Sequence, residues 1–215
     1  MKVATLNLIE QRDVKCAQAI KELRSSILFS EDTGKVVALT SWDDPDATWK
    51  IGINLAASFA EVGKRTMFLD ANLQEHKLSK YGRKTAGLSE YLQKKVAASD
   101  MLYETNEEQL NLILSGDSCN QSTELLGGKR FTELMDVLRS SYDMVIVNTP
   151  PVEYTVDSMM IGRITDQVFC VANEGKTTYA QIEKMQKKLD RYGCNLSGCI
   201  YSKLSHRKRG IRRII

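Results

Sequence analysis

A chain of 215 residues, 42% hydrophobic and 27% charged, has the material for one compact soluble domain and too little for two full ones. Its apolar runs are strand-sized, as at Met144 to Val147, and it opens on no signal-peptide core, which excludes a membrane-spanning or secreted class and points to the cytosol. The net charge of +3 hides an asymmetry: Lys203, Arg207, Lys208, Arg209, Arg212 and Arg213 crowd the C-terminus with no acidic residue among them.

In chain order, residues 12–30 read as an amphipathic N-terminal helix, with Ile20, Leu23, Ile27 and Leu28 as its apolar stripe. A β-branched run from Lys35 to Thr40 predicts a strand, which Asp43-Asp44-Pro45-Asp46 then breaks. Ile51, Leu55, Phe59 and Val62 predict a helix that Gly63 closes. Strands follow at Thr66 to Leu69 and Leu110 to Leu114, a helix at Phe131 to Leu138, and a strand at Met144 to Val147 leading into Asn148-Thr149-Pro150-Pro151. A strand at Gln167 to Ala172, a helix at Tyr179 to Leu189 and a strand at Leu196 to Tyr201 complete the pattern. Alternating strands and helices predict an α/β fold, a doubly wound and mostly parallel sheet with helices on both faces. Ligands in such sheets bind beyond the carboxyl ends of the strands, so the positions after Thr40, Leu69 and Val147 are the candidates.

The five cysteines form no CxxC pair and no metal-ligand spacing; Cys170 and Cys199 fall in apolar runs, where a thiol is expected to behave as a small buried hydrophobe. His76 and His206 stand apart, so a zinc site has no support. The expected organisation is one domain over residues 1–202 and a basic tail over 203–215.

At those strand ends the sequence resembles the cytoplasmic ATPase domain of the bacterial tyrosine kinases of capsule and exopolysaccharide synthesis, a P-loop group related to MinD and ParA. Leu39-Thr40-Ser41 and Asn54-Leu55-Ala56 bracket the place of its Walker A loop, and Phe68-Leu69-Asp70-Ala71 resembles its second acidic motif. Gly87 to Leu92, Ser122 to Leu126, and Val145 to Pro151 with Asp157 after it match further family stretches in order. Gly175-Lys176-Thr177-Thr178 also occurs in the family. It looks like the tail of a P-loop, but Cys170 stands where the first glycine should be, so it reads as a strand-to-helix turn.

The departures from the family pattern concern phosphate chemistry. A P-loop needs glycines whose backbone N–H groups curl round phosphate, a lysine for its charge and a hydroxyl for magnesium. In Trp42 to Trp49, Pro45 and Ala47 stand for the glycines, Thr48 for the lysine and Trp49 for the hydroxyl. Asp43, Asp44 and Asp46 surround the space, and each would repel a phosphate charge about 5 Å away by roughly 3 kcal/mol at an effective dielectric near 20. Asn72 and Asn148 replace aspartates, leaving Asp70 alone, and no tyrosine follows Tyr201 where the family carries its acceptor cluster. The family's oligomerisation motif corresponds to Gln18, Lys21 and Arg24, of which only Arg24 matches.

Two readings of Asp-Asp-Pro-Asp stay open: a turn and helix N-cap, or a divalent-metal site of Asp43, Asp44, Asp46 and Asp70. Lys50, two places beyond the expected lysine, is a candidate substitute for it. The resemblance implies a catalytically impaired homologue, with no cofactor, acting as a regulatory or scaffolding subunit. Its partners would be a membrane-bound chain-length-determinant adaptor, an active kinase paralogue, or both, at the inner face of the membrane. The alternatives are a divergent but active tyrosine kinase using ATP or ADP with magnesium, and a MinD-like positioning ATPase. The basic tail suits an anionic membrane surface or stays solvated; nucleic acid is disfavoured because no aromatic residues interleave the basic ones.

Overall fold

The computed structural model of the chain describes residues 2–6, 14–30, 34–74, 86–203 and 211–214. The elements run β1 (Lys2–Leu6), α1 (Val14–Leu28), β2 (Val36–Ser41), α2 (Pro45–Glu61), β3 (Thr66–Asp70), α3 (Leu88–Leu92), α4 (Ala98–Met101), β4 (Leu102–Thr105) and β5 (Leu110–Ile113). They continue α5 (Ser122–Leu126), α6 (Lys129–Ser141), β6 (Met144–Asn148), α7 (Asp157–Gly162), β7 (Gln167–Asn173), α8 (Tyr179–Arg191), β8 (Leu196–Ser202) and β9 (Ile211–Ile214). The strands form one sheet in the order β8-β7-β2-β6-β3-β5-β4-β1-β9. From β8 across to β5 every neighbouring pair is parallel, so the expected doubly wound α/β sheet is present.

The central strands β2, β3 and β6 are buried along their whole length, which is why they read as unbroken apolar runs. One face carries Leu39, Phe68 and Ile146 under α2; the other carries Val36, Leu69 and Val145 under α6, α7 and α8. Close approach of α2 depends on Gly52: a Cβ there would lie 2.9 Å from the Phe68 ring. Strand β8 departs from the expected continuous run. It is the sheet's edge, its residues alternate between half-buried and exposed, and Cys199 is exposed where burial was expected.

Helix α1 lies on α2. The Arg24 guanidinium donates to the Ser58 carbonyl at 2.7 Å and hydroxyl at 2.9 Å and pairs with Glu61 at 3.8 Å, while Lys21 meets Glu61 at 3.5 Å. Gln18 donates to Glu22 within α1. Of the three residues read as an oligomerisation motif, two thus hold the helix pair together within the chain.

Strands β1, β4 and β9 extend the sheet beyond the predicted set. β9 pairs antiparallel with β1, so 211–214 of the basic segment end the sheet. Arg207, Lys208 and Arg209 lie outside the described residues, as do His76 and His206, and only the backbone of Arg212 and Arg213 is described. The side chain of Lys203 pairs with Glu174 at 2.9 Å. Among the described residues, no helix is long and apolar enough to cross a membrane.

Asp166 ties the entry of β2 to α6. Its carboxylate accepts from the backbone N–H of Lys35 (2.7 Å) and Val36 (2.9 Å) and pairs with Arg139. Burial pushes its pKa up, but these partners outweigh burial and hold the carboxyl below its ordinary range. Asp166→Asn is expected to lower the unfolding free energy by about 1–3 kcal/mol at neutral pH. Because the folded carboxyl is the stronger acid, its contribution is full above the unfolded value of about 3.9 and disappears as pH falls through the folded value. Urea unfolding of both proteins should converge in acid; a constant difference would refute the charge-based account.

Candidate functional site

The crevice lies past the carboxyl ends of β2, β6 and β3, where the direction of strand addition reverses. Only three residues join Ser41, the end of β2, to Pro45, the start of α2. A phosphate-binding loop inserts a longer glycine-rich arch between strand and helix before its lysine; here the helix already begins three residues ahead of Thr48. Proline suits that first helical position because it fixes φ and lacks an N–H that would have no partner.

Asp44 is the N-cap of α2. Its carboxylate accepts from the backbone N–H of Asp46 at 3.0 Å and Ala47 at 3.1 Å, the donors that face outward at a helix N-terminus. The other carboxylate oxygen accepts from the Asn173 amide at 2.8 Å and lies 3.8 Å from the Lys176 ammonium. Ser41 closes the loop from the opposite side, its hydroxyl donating to the Asp44 carbonyl at 2.9 Å. A carboxylate from the chain itself thus occupies the helix end that would otherwise attract a phosphate. The turn-and-cap reading of Asp-Asp-Pro-Asp describes the loop.

The neighbouring candidates serve the fold. Thr48 is buried, its hydroxyl donating to the Pro45 carbonyl at 3.0 Å. Trp49 points into the core, edge-on to Phe68 with ring centroids 5.8 Å apart. Trp42 is buried on the other face of the sheet, with the Lys188 ammonium 5.3 Å from its ring centre. Lys50 is half-buried in the second turn of α2. Asp43 and Asp46 are exposed while Asp70 is 2% exposed, and among the described residues no three His, Cys, Asp or Glu side chains converge as a metal site would require.

At the ends of β3 and β6, Asp70 and Asn148 are directly paired, and the Asn148 amide donates to the Asp70 carboxylate at 2.8 Å. The Asn72 N–H reaches the same oxygen at 3.3 Å. Two carboxylates buried this closely would need a shared proton or a cation between them, whereas an amide supplies a donor and no charge. Among the described residues, the Asn148 side-chain oxygen and the Asn72 side-chain nitrogen have no hydrogen-bond partner.

The Gly-Lys-Thr-Thr segment is a turn from β7 into α8. Gly175 adopts φ +71°, the Asn173 N–H donates to the Thr177 hydroxyl at 2.9 Å, and Thr178 caps α8. Sequence reading missed that Lys176 reaches back to Asp44. The contact depends on β7 lying beside β2, which no local sequence signal specified.

Asn148→Asp is the sharpest probe of this site. It is expected to cost about 3 kcal/mol or more at neutral pH by burying two like charges together. The carboxyl that takes up the shared proton would have a raised pKa, so the loss should shrink as pH falls through that value. Urea unfolding at pH 7.5 and pH 5 checks this; equal losses at both would show that repulsion is not the cause.

An AAA domain family model matches residues 48–192, a span that begins after the Asp-Asp-Pro-Asp loop. The chain is 28% identical over 193 residues to Tyrosine-protein kinase CpsD of Streptococcus pneumoniae, covering 88% of this chain and 85% of that protein. The solved BceF tyrosine kinase domain superposes with a TM-score of 0.80 at 29% identity, over 90% of this chain and 79% of that one. The cell division ATPase MinD of Pyrococcus furiosus shares the fold, with a TM-score of 0.66 at 15% identity over 83% of this chain and 76% of its own. The chain belongs to the AAA domain family, and its homologues are bacterial tyrosine kinases.

Proposed function

We propose that this chain is a catalytically impaired homologue of the bacterial tyrosine kinases that works by binding, as a regulatory or scaffolding subunit in capsule or exopolysaccharide biosynthesis. Its partners on this reading are an active kinase paralogue, a membrane-bound chain-length-determinant adaptor, or both, at the cytoplasmic face of the membrane. The pathway rests on kinship with relatives named as tyrosine kinases, among them one encoded in a cps region of Klebsiella pneumoniae.

The observation that carries the impairment is the Asp44 carboxylate seated on the first amides of α2 and held there by Asn173 and Lys176. A nucleotide phosphate would have to displace a tethered anion, break the helix cap at a cost of about 0.5–2 kcal/mol, and then meet the expelled charge at close range. Micromolar affinity needs about −8 kcal/mol, and the loop offers neither lysine nor glycine arch to supply it. Asp70, with an asparagine opposite, lacks the second negative charge that would help hold magnesium.

Calorimetric titration of the purified chain with ADP and ATP, with and without magnesium, tests this reading. The expected result is no binding up to millimolar nucleotide. Micromolar, magnesium-dependent binding would overturn it in favour of a divergent active kinase, and a Lys50→Ala comparison would then show whether that lysine has taken over.

A further inference from the structure

Strands β7 and β8 run parallel at one edge of the sheet, and Cys170 and Cys199 are direct register partners across them. Neighbouring strands lie about 4.8 Å apart, within the range of roughly 4.4–6.8 Å between Cα atoms that a disulfide spans. In a parallel ladder, residues in register project to the same face, so the two thiols face one another. Cys199 is exposed because β8 is the edge, whereas Cys170 is only 1% exposed.

The two thiols act on each other across the strand pair: the neighbouring Cys170, helped by the Ala172 backbone, brings the Cys199 thiol down to about 7 against the opposing effect of burial. The neighbouring Cys199, followed by burial, pushes the Cys170 thiol up. The exposed residue of the pair therefore carries the more acidic thiol and its buried partner the less acidic one, the arrangement in which a cysteine reacts with peroxide and a neighbour resolves the product.

We propose that Cys170 and Cys199 form a peroxide-reactive pair that closes to a disulfide between β7 and β8. The Cys199 thiolate attacks one oxygen of hydrogen peroxide, the O–O bond breaks, hydroxide leaves, and Cys199 becomes a sulfenic acid. The Cys170 sulfur then attacks the Cys199 sulfur, the S–O bond breaks, and the hydroxyl leaves as water with the Cys170 proton. Peroxide is the two-electron oxidant and the two thiols are the reductant. A bridge between directly opposed strand residues is held by the sheet and not by its own torsional preference, so it should be readily reduced by a dithiol.

The other cysteines are less suited to this chemistry. Cys16 and Cys119 are half-buried on α1 and in the loop before α5. Cys194 is buried, its thiol donating to the Met159 carbonyl at 3.3 Å and pushed up by burial. The pair also sits close to the loop: Asn173 lies three residues beyond Cys170 on the same strand, and Asn173 and Lys176 are the groups that hold Asp44. The bridge would form on the strand that carries this clamp.

The test treats the full chain with hydrogen peroxide, blocks remaining thiols with iodoacetamide, digests with trypsin without reduction and sequences the peptides by mass spectrometry. The expected product links the peptide Ile164 to Lys176 with the peptide Tyr192 to Lys203. Fragment ions should place the bond on Cys199 and not on Cys194, and dithiothreitol should remove it. In Cys170→Ser, dimedone should trap a sulfenic acid on Cys199; in Cys199→Ser, Cys170 should stay reduced. Alkylation of both Cys170 and Cys199 in the peroxide-treated wild type would overturn the proposal. So would a bond through Cys194, or dimedone on Cys16 or Cys119 in place of Cys199.

Discussion

The carboxylate of Asp44 lies on the amides of Asp46 and Ala47, and the geometry of the crevice follows from that contact. A helix N-terminus carries outward-facing donors and a positive end of the peptide dipole, and it recruits an anion. In a phosphate-binding loop that anion is the ligand, held off the helix by a glycine arch long enough to wrap it. With three residues between β2 and α2 there is no arch, and the first side chain ahead of the helix reaches the amides directly. The proline at the next position and the clamp by Asn173 and Lys176 then fit one conformation, because each acts on the same carboxylate or on the residue beside it.

Charge elsewhere in the crevice is adjusted to the same condition. An Asp70 buried opposite a second aspartate would need a shared proton or a cation; opposite Asn148 it accepts a hydrogen bond from a neutral amide and remains within the sheet. Threonine at position 48 offers no charge to attract phosphate, and asparagine at position 148 spares Asp70 the repulsion of a second carboxylate. Together they suit a crevice that balances its own charges, which supports the proposed binding role.

Most of the central architecture was legible in the sequence because burial on both faces imposes a continuous apolar run. β2, β3 and β6 have this property, and their ends fall within a residue of the predicted ones. The outer strands β4 and β8 lack it. β1, β4 and β9 are four or five residues long, and β8 alternates between half-buried and exposed residues, which left Cys199 exposed despite its apolar neighbours. In the crevice, the sequence identified the altered loop, but the link between Lys176 and Asp44 joins residues far apart in the chain. It depends on β7 lying beside β2, a pairing that local periodicity does not specify.

The motifs that carry the family resemblance have a second reading in the fold. Glu90, in the stretch from Gly87 to Leu92, accepts from the N–H of Gly87 at 2.8 Å and of Asp117 at 2.9 Å, fastening α3 to the loop after β5. Asp157 is fully buried and accepts from the hydroxyls of Ser122 and Thr123, each at 2.6 Å, fastening α5 to α7. A buried carboxylate stripped of such partners is strongly destabilising, so folding alone explains why these residues stand together. They would be needed equally in a chain that binds nucleotide and in one that does not. The resemblance therefore locates the chain among its relatives, while the chemistry open to its crevice is set by the few residues between Ser41 and Lys50 and by the asparagine opposite Asp70.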